Sequence, residues 1–351
     1  MNSTTEIVGW APEPRARGTI SLLWSCFATT FLCTWNAIHP NLPGLREGKR
    51  TIIIRRLRYV FTCLLLPEYY ALTALSHLAN AMLVEKEAKA AAPNSRWSLK
   101  QSFFLLMGGF VFQDDFDGAP RYRYNTYMLM RLLKSQQLPW PKSSDEEIDD
   151  RSKADWIMKS LALLQIVWFT TQVTGRWVQG LAVTTLELFT FSIVICGIVT
   201  YMASWKKPFD VQVPVATRVR YVPFADNNRT TLNDSYISQG VDWLVWSAFI
   251  VCLVSGSIQI SGWNFHFPSK TEQLLWRISS VACAVLPLLY FTLCLMRSLS
   301  TFEEKVAKKV FLSLYTLFRI YMFVEMFVSL RAAPTSVYQT PQWSQYFPSF
   351  S

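Results

Sequence analysis

Long apolar runs separated by short polar segments rich in Lys and Arg dominate the pattern of this chain. A helix needs about 20 apolar residues to cross the hydrocarbon core of a bilayer. Seven runs approach that length, at about 19–38, 58–83, 157–175, 181–203, 241–262, 274–296 and 309–330. The pattern therefore predicts an all-α fold, a polytopic bundle of transmembrane helices that forms a single integral membrane domain over residues 1–351.

An eighth apolar run, at 99–113, is shorter and contains the pair Gly108 and Gly109. If it crosses the membrane, 21 Lys and Arg residues of the connecting segments lie on one side and 8 on the other. Because cytoplasmic loops carry an excess of Lys and Arg, this asymmetry predicts eight crossings with both termini on the lumenal or outer side. Seven crossings and a re-entrant segment are the alternative.

Composition supports a membrane location. Hydrophobic residues make up 51% of the chain and charged residues 17%, whereas soluble domains have about 25% charged residues. The net charge of +10 comes from basic residues spread between apolar runs, which indicates membrane sidedness rather than nucleic-acid binding. The polar connection 114–155 is predicted to be a cytosolic loop within the membrane domain. The sequence contains no metal, nucleotide or redox motif, so no cofactor is predicted.

The stretch LLLPEYY at 64–70 places Glu68 between a proline and two tyrosines, near the middle of the second apolar run. No Lys or Arg lies within one helical turn of it. Burial without a partner favours the neutral form of a carboxyl group, and a neutral acid in an apolar cavity can donate a proton. Glu68 is therefore the first candidate for a general acid, with an ion pair to Arg319 or Arg176 as the structural alternative.

Other polar side chains at predicted membrane depth are costly to bury, so each is a candidate for a site or for an interhelical pair. They are Gln165, Gln172, Arg176, Glu187, Arg319 and Glu325. Glu187 and Glu325 are further candidates for catalytic proton transfer. Arg176 and Glu187 flank a short turn and could instead pair to hold a hairpin, and the two glutamines could form interhelical hydrogen bonds.

Aromatic residues are abundant, with 14 Trp, 14 Tyr and 24 Phe. Belts at the membrane interface and packing against lipid explain most of them. Tyr69, Trp168 and Trp263 lie within or at the ends of apolar runs, where their π faces could line a substrate pocket and stabilise a cation.

Several stretches resemble, nearly end to end, a large family of fungal integral membrane proteins. They include RGTISLLWSCFATTFLCTWNAIHPNLP at 17–43, PEYYALTA at 67–74, IDDRSKADWIMKSLALLQIVWFTTQVTGRWVQGLAVTTLELFTFSIV at 148–194 and RIYMFVEMFVSLRAAPTSVYQTPQWSQYFP at 319–348. In size and hydropathy the chain is similar to the membrane-bound terpene cyclases of fungal meroterpenoid pathways, such as those that make ascochlorin and macrophorin. It departs from the family pattern at Gln259, where His is usual.

This resemblance implies a multi-pass enzyme of the endoplasmic reticulum that protonates a terminal alkene or epoxide of a farnesylated polyketide and cyclises its prenyl chain without a metal. Its partners would be the lipophilic prenylated substrate and membrane lipids, with a prenyltransferase and an epoxidase in the same pathway, and no nucleic acid. A transporter or receptor-like membrane protein, whose Arg and Glu residues bind a charged solute, is the alternative. A third interpretation is a scaffold without chemistry of its own.

Overall fold

The computed structural model is mostly helical, with short strands at two places. It describes residues 7–12, 17–45, 47–93, 97–115, 121–141, 143–152, 155–220, 242–295 and 301–342. The helices are α1 (Thr19–Ala37), α2 (Lys49–Leu65), α3 (Pro67–Ala91), α4 (Leu99–Leu106), α5 (Thr126–Lys134), α6 (Asp145–Asp150), α7 (Asp155–Val178), α8 (Thr185–Ala203), α9 (Asp242–Ser261), α10 (Lys270–Leu295) and α11 (Thr301–Val328). The strands are β1 (Ile7–Val8), β2 (Phe110–Asp114), β3 (Arg121–Tyr122), β4 (Val215–Val219) and β5 (Ala333–Pro334).

Four helical segments of the described chain are long and apolar enough to cross a membrane, which is fewer than the eight crossings predicted. They are Thr185–Ala203, Trp243–Asn264, Lys270–Leu293 and Val306–Ala332. The first of them, α8, lies at the centre, packed against α1, α3, α9 and α11. Because α8 is covered on nearly every side, its buried residues are not confined to one helical face.

The predicted second span at 58–83 is wrong as a continuous helix, because the chain breaks between α2 and α3. Leu66 has φ −131° and ψ 57°, outside the helical region. Proline disfavours helical geometry in the residue before it and supplies no backbone N–H, but it is well suited to the first position of a new helix. Pro67 therefore begins α3, and Glu68 lies in its first turn instead of in the middle of one long helix.

The eighth predicted crossing is also wrong. The run at 99–113 forms the eight-residue helix α4 and then most of strand β2. Gly108 joins the two with φ 75°, a backbone conformation that glycine adopts without strain. Strand β2 pairs antiparallel with β3, Phe112 opposite Tyr122, and parallel with β4, Phe110 opposite Val215.

The connection 114–155 shares its core with segments outside it. Its elements β3, α5 and α6 pack with the end of α3, with α4 and with β2 and β4 around a second group of buried side chains. That group includes Val84, Trp97, Phe104, Phe110, Phe112, Leu129, Leu133, Ile148 and Val219. The fold is therefore a helical bundle with a small α/β lobe, which corrects the all-α prediction.

Substituting Gly109 by Ala is expected to lower the free energy of unfolding by about 1–3 kcal/mol, because overpacking of a buried contact forces its neighbours to move. The added Cβ would lie 2.4 Å from the ring of Phe104, which is fully buried. Thermal unfolding of the purified protein in detergent measures the effect. The control is Gly48→Ala, where nothing lies within 4 Å of the new Cβ, and an equal loss in both variants would contradict the packing argument.

Candidate functional site

Polar side chains from three other helices surround the carboxylate of Glu68 on α3, which is buried. Ser255 of α9 donates a short hydrogen bond to Oε1, and the hydroxyl of Tyr315 of α11 donates to Oε2 over 2.5 Å. Arg319, one turn further along α11, places Nη2 3.4 Å from Oε1. Ser192 of α8 is hydrogen-bonded to Ser255 over 2.8 Å. These five residues are called the Glu68 centre below.

Arg319 is completely buried and is held by charge rather than by hydrogen bonds. Its Cζ lies 4.6 Å from the centroid of the Phe189 ring, a cation–π contact. Among the described residues its Nε, Nη1 and Nη2 atoms have no hydrogen-bond partner. A buried guanidinium without a counter-ion is strongly unfavourable, so Glu68 is the group that makes this position of Arg319 tolerable.

The partners of Glu68 come from other helices. The expectation of an acid without a partner is therefore wrong, because Arg319 of α11 supplies a cation beside the carboxyl group. The alternative that paired Glu68 with Arg319 is the one observed.

An apolar wall lies one helical turn from the Glu68 centre. Ala71, Cys196 and Val251 form a buried cluster. Ala71 and Cys196 follow Glu68 and Ser192 by three and four residues, and Val251 precedes Ser255 by four, so each pair shares a helical face.

Gln259 adds a second unusual polar group to the same region. It is fully buried on α9, one turn beyond Ser255, and neither atom of its amide has a hydrogen-bond partner among the described residues. Gln259 and Arg319 each lie four residues after a residue that donates to Glu68, Ser255 on α9 and Tyr315 on α11.

Glu187 and Arg176 belong to a different network, which supports the structural alternative for this pair. Glu187 caps the start of α8 through Thr184 and lies 2.6 Å from Nη2 of Arg17. The guanidinium of Arg176 lies 3.6 Å from Glu187 and donates to backbone carbonyl groups of Ala182 and of residues 336, 337 and 339. These contacts hold the segment after α11 against the α7–α8 turn.

The remaining predicted site residues do not join the Glu68 centre. The amide of Gln165 on α7 donates to Thr29 of α1 over 2.8 Å, the interhelical role that was the alternative. Gln172, also on α7, is partly buried. Tyr69, Trp168 and Trp263 are 50%, 58% and 40% exposed, which fits rings that face lipid or the interface. Phe189, which the sequence argument did not single out, is the ring that contacts a buried cation.

Glu325 is buried and accepts a hydrogen bond from Tyr321, four residues earlier, over 3.3 Å. Its other oxygen, Oε1, has no partner among the described residues. Tyr315 and Ser255 were missed by the sequence argument. The spacing of four residues between Tyr315 and Arg319 was the one available signal, since it places both on the same face of a helix.

A family described as a family of unknown function (DUF8562) matches residues 1–223 and 298–350 of the chain. Glu68, Ser192, Tyr315 and Arg319 fall within the matched ranges, whereas α9, which carries Ser255 and Gln259, lies outside them. No curated protein matches the chain, and no solved structure matches it. Within the described residues, no group of three or more His, Cys, Asp or Glu side chains could hold a metal ion.

Proposed function

We propose that this chain, which belongs to the DUF8562 family of unknown function, is a membrane-bound enzyme that cyclises the prenyl chain of a farnesylated, lipophilic compound. The reaction would start by proton transfer from Glu68 to a terminal epoxide or alkene of the substrate. The observation that carries the proposal is the convergence of Tyr315, Ser255 and Arg319 on one buried carboxylate. The endoplasmic reticulum, beside a prenyltransferase and an epoxidase, is the proposed location.

The partners of Glu68 support its role as the acid of this reaction. In the proposed cycle the protonated carboxyl group gives its proton to the substrate, and the carboxylate that forms is stabilised by donors that are already in place. This stabilisation lowers the energy of the charge-separated transition state. Tyr315 and Ser255 need not move to give it, because both already contact the carboxyl group of Glu68.

Unpaired polar groups support a ligand oxygen at this position. A buried hydrogen-bonding group without a partner costs about 1–3 kcal/mol, and native proteins contain few of them. Arg319 and Gln259 both leave such groups in the bundle interior. The oxygen of an epoxide could accept a hydrogen bond from either side chain, which would favour a substrate with an oxygen at the end of its prenyl chain.

The proposed reaction conserves atoms. Transfer of a proton from Glu68 to the epoxide oxygen breaks a C–O bond, and the π electrons of a neighbouring alkene form a C–C bond and leave a carbocation. Loss of a proton from an adjacent carbon ends the reaction, with the Glu68 carboxylate as acceptor. Substrate and product are therefore isomers, and a dry apolar site prevents water from capturing the cation.

The test uses membranes from cells that express the chain, incubated with a linear farnesylated phenol that carries a terminal epoxide and with its alkene analogue. We expect a product of unchanged mass and different chromatographic retention. Membranes without the chain are the control for background isomerisation. If neither compound is converted, the proposal of a cyclase for this substrate class is rejected.

A transporter is the second candidate, and the buried Glu68–Arg319 ion pair is the observation that favours it, since charged pairs inside a bundle often mark ion or proton pathways. Reconstituted vesicles distinguish the two. A transporter would move a charged solute or protons across the vesicle membrane and leave the prenylated compound unchanged.

A further inference from the structure

Basic side chains from separate elements meet beside the ends of α1 and α8, away from the groups used above. Lys207, in the segment after α8, is only 3% exposed. Its Nζ lies 3.4 Å from Nδ1 of His77 on α3. His39, which follows α1, packs its ring edge-on against Phe209, with the centroids 5.3 Å apart. Phe209 lies two residues after Lys207 and so links the two groups.

Arg56 of α2 completes this group from a third side. Its Cζ is 4.1 Å from the ring centroid of Trp35 and 5.7 Å from that of Phe209. The four residues Arg56, His39, His77 and Lys207 are called the basic cluster. Among the described residues, the carboxylate that pairs with it is Asp210, 3.2 Å from Nη1 of Arg56, and that side chain is 39% exposed.

Lys207 forms no ion pair within the described part of the chain. Burial lowers its pKa to about 7, because transfer out of water penalises the ammonium form. The pKa of His39 falls to about 3, first through burial and then through the charge of Lys207. A protein that keeps basic groups this close together without a buried acid has a region where an external anion would be stabilised.

The hydrogen-bonding pattern of the cluster is incomplete. Nδ1 of His39 is 3.0 Å from the carbonyl oxygen of Ala37. A carbonyl oxygen only accepts, so this nitrogen is assigned the proton and Nε2 is left as an acceptor. Among the described residues, Nε2 of His39 and Nε of Arg56 are buried without a partner. The cluster thus offers one unused acceptor next to unused donors.

We propose that the basic cluster binds a phosphate monoester. Its oxygens would accept hydrogen bonds from Lys207 and Arg56, and its P–OH group would donate to Nε2 of His39. A second ionisation near pH 6 lets such a phosphate keep a proton at little cost, whereas sulfate and carboxylate groups are unprotonated at neutral pH. The phosphate can belong to a lipid such as phosphatidic acid or to a soluble compound.

The basic cluster also has a suitable location for a lipid head group. Lys207 follows the end of α8, a helix of membrane-spanning length, by four residues, and Arg56 contacts Phe209 in the same segment. Anionic lipid head groups at a membrane surface attract basic residues in such a position. The aromatic rings of Trp35 and Phe209, which contact Arg56, hold its guanidinium in place for such a contact.

The experiment has one arm for each source of phosphate, and both use the full chain purified in detergent. In the first, inorganic phosphate is titrated into the protein by isothermal calorimetry, with sulfate as the comparison anion. In the second, mixed micelles that contain phosphatidic acid are titrated, with phosphatidylcholine micelles as the comparison. We expect saturable binding in at least one arm and at least tenfold weaker binding of the comparison compound in that arm.

Lys207→Met is expected to weaken this binding at least tenfold. The variant should stay folded, because Lys207 forms no ion pair in the described part of the chain and its removal leaves no buried partner uncompensated; thermal unfolding checks this. Arg56→Gln, at a partly exposed position, is a second variant that should also weaken binding. Lys89→Met on α3 removes an exposed charge and should bind as the wild type does.

Three results would overturn the proposal: no saturable binding in either arm, Lys207→Met and Arg56→Gln variants that both bind with wild-type affinity, or an equal loss in the Lys89→Met control. Binding of phosphatidic acid alone would identify a lipid ligand, and binding of inorganic phosphate would identify a soluble one. The proposal does not rest on the cyclase activity, since neither arm measures turnover.

Discussion

Membranes that contain the Glu68→Gln variant are expected to convert the farnesylated epoxide at least about a hundredfold more slowly than wild-type membranes, the scale of a lost general acid. The amide has nearly the same shape as the carboxylate. Its oxygen can accept a hydrogen bond from one of the two hydroxyl groups and its NH2 group can donate to the other, but it cannot transfer a proton. The measurement is the initial rate of isomer formation per amount of the chain, with protein quantified in the same membranes.

Two further variants separate chemistry from folding in this experiment. Glu85→Gln is the matched control, because it makes the same change on the same helix, α3, at a residue that pairs with Lys89 on the surface. Glu68→Asp keeps the acid but shortens its reach, and it should retain part of the activity. Full activity of the Glu68→Gln variant would show that another group starts the reaction and that the carboxylate is structural.

Substitution of Arg319 by Met is expected to lower the free energy of unfolding by about 3–5 kcal/mol, the usual effect of removing one partner from a buried ion pair. Glu68 would then remain as a buried carboxylate with its hydrogen bonds but without a cation. Because Arg319 is fully buried, little screening by solvent weakens this effect. The midpoint of thermal unfolding in detergent, compared with wild type, gives the loss.

The double variant Glu68→Gln with Arg319→Met tests whether the pair acts as a unit. With both charges removed, we expect a smaller loss of stability than the sum of the two single losses, because neither partner is left uncompensated. Strictly additive losses would contradict the ion pair. The same double variant should remain inactive, which distinguishes restored folding from restored proton transfer.

Local pattern predicted several helices well, and it failed where distant parts of the chain decide the structure. The run 19–38 became Thr19–Ala37, and 181–203 became Thr185–Ala203. In contrast, 99–113 continued into strand β2, whose parallel partner β4 comes about a hundred residues later. Pairing over such a distance leaves no periodic signal near β2, so the short run was assigned to the membrane.

For the candidate site, the sequence by itself determined that Glu68 is an acid without a cation in its own helical turn, in a chain rich in membrane-length helices. Pro67 was a signal for a helix boundary that the predicted span at 58–83 did not use, and such a signal is not decisive, since Pro287 lies inside α10. Only the tertiary structure decided that Tyr315, Ser255 and Arg319 supply the missing partners. Residues on one helix specify which face is polar, but the neighbour that this face meets depends on how all the helices pack.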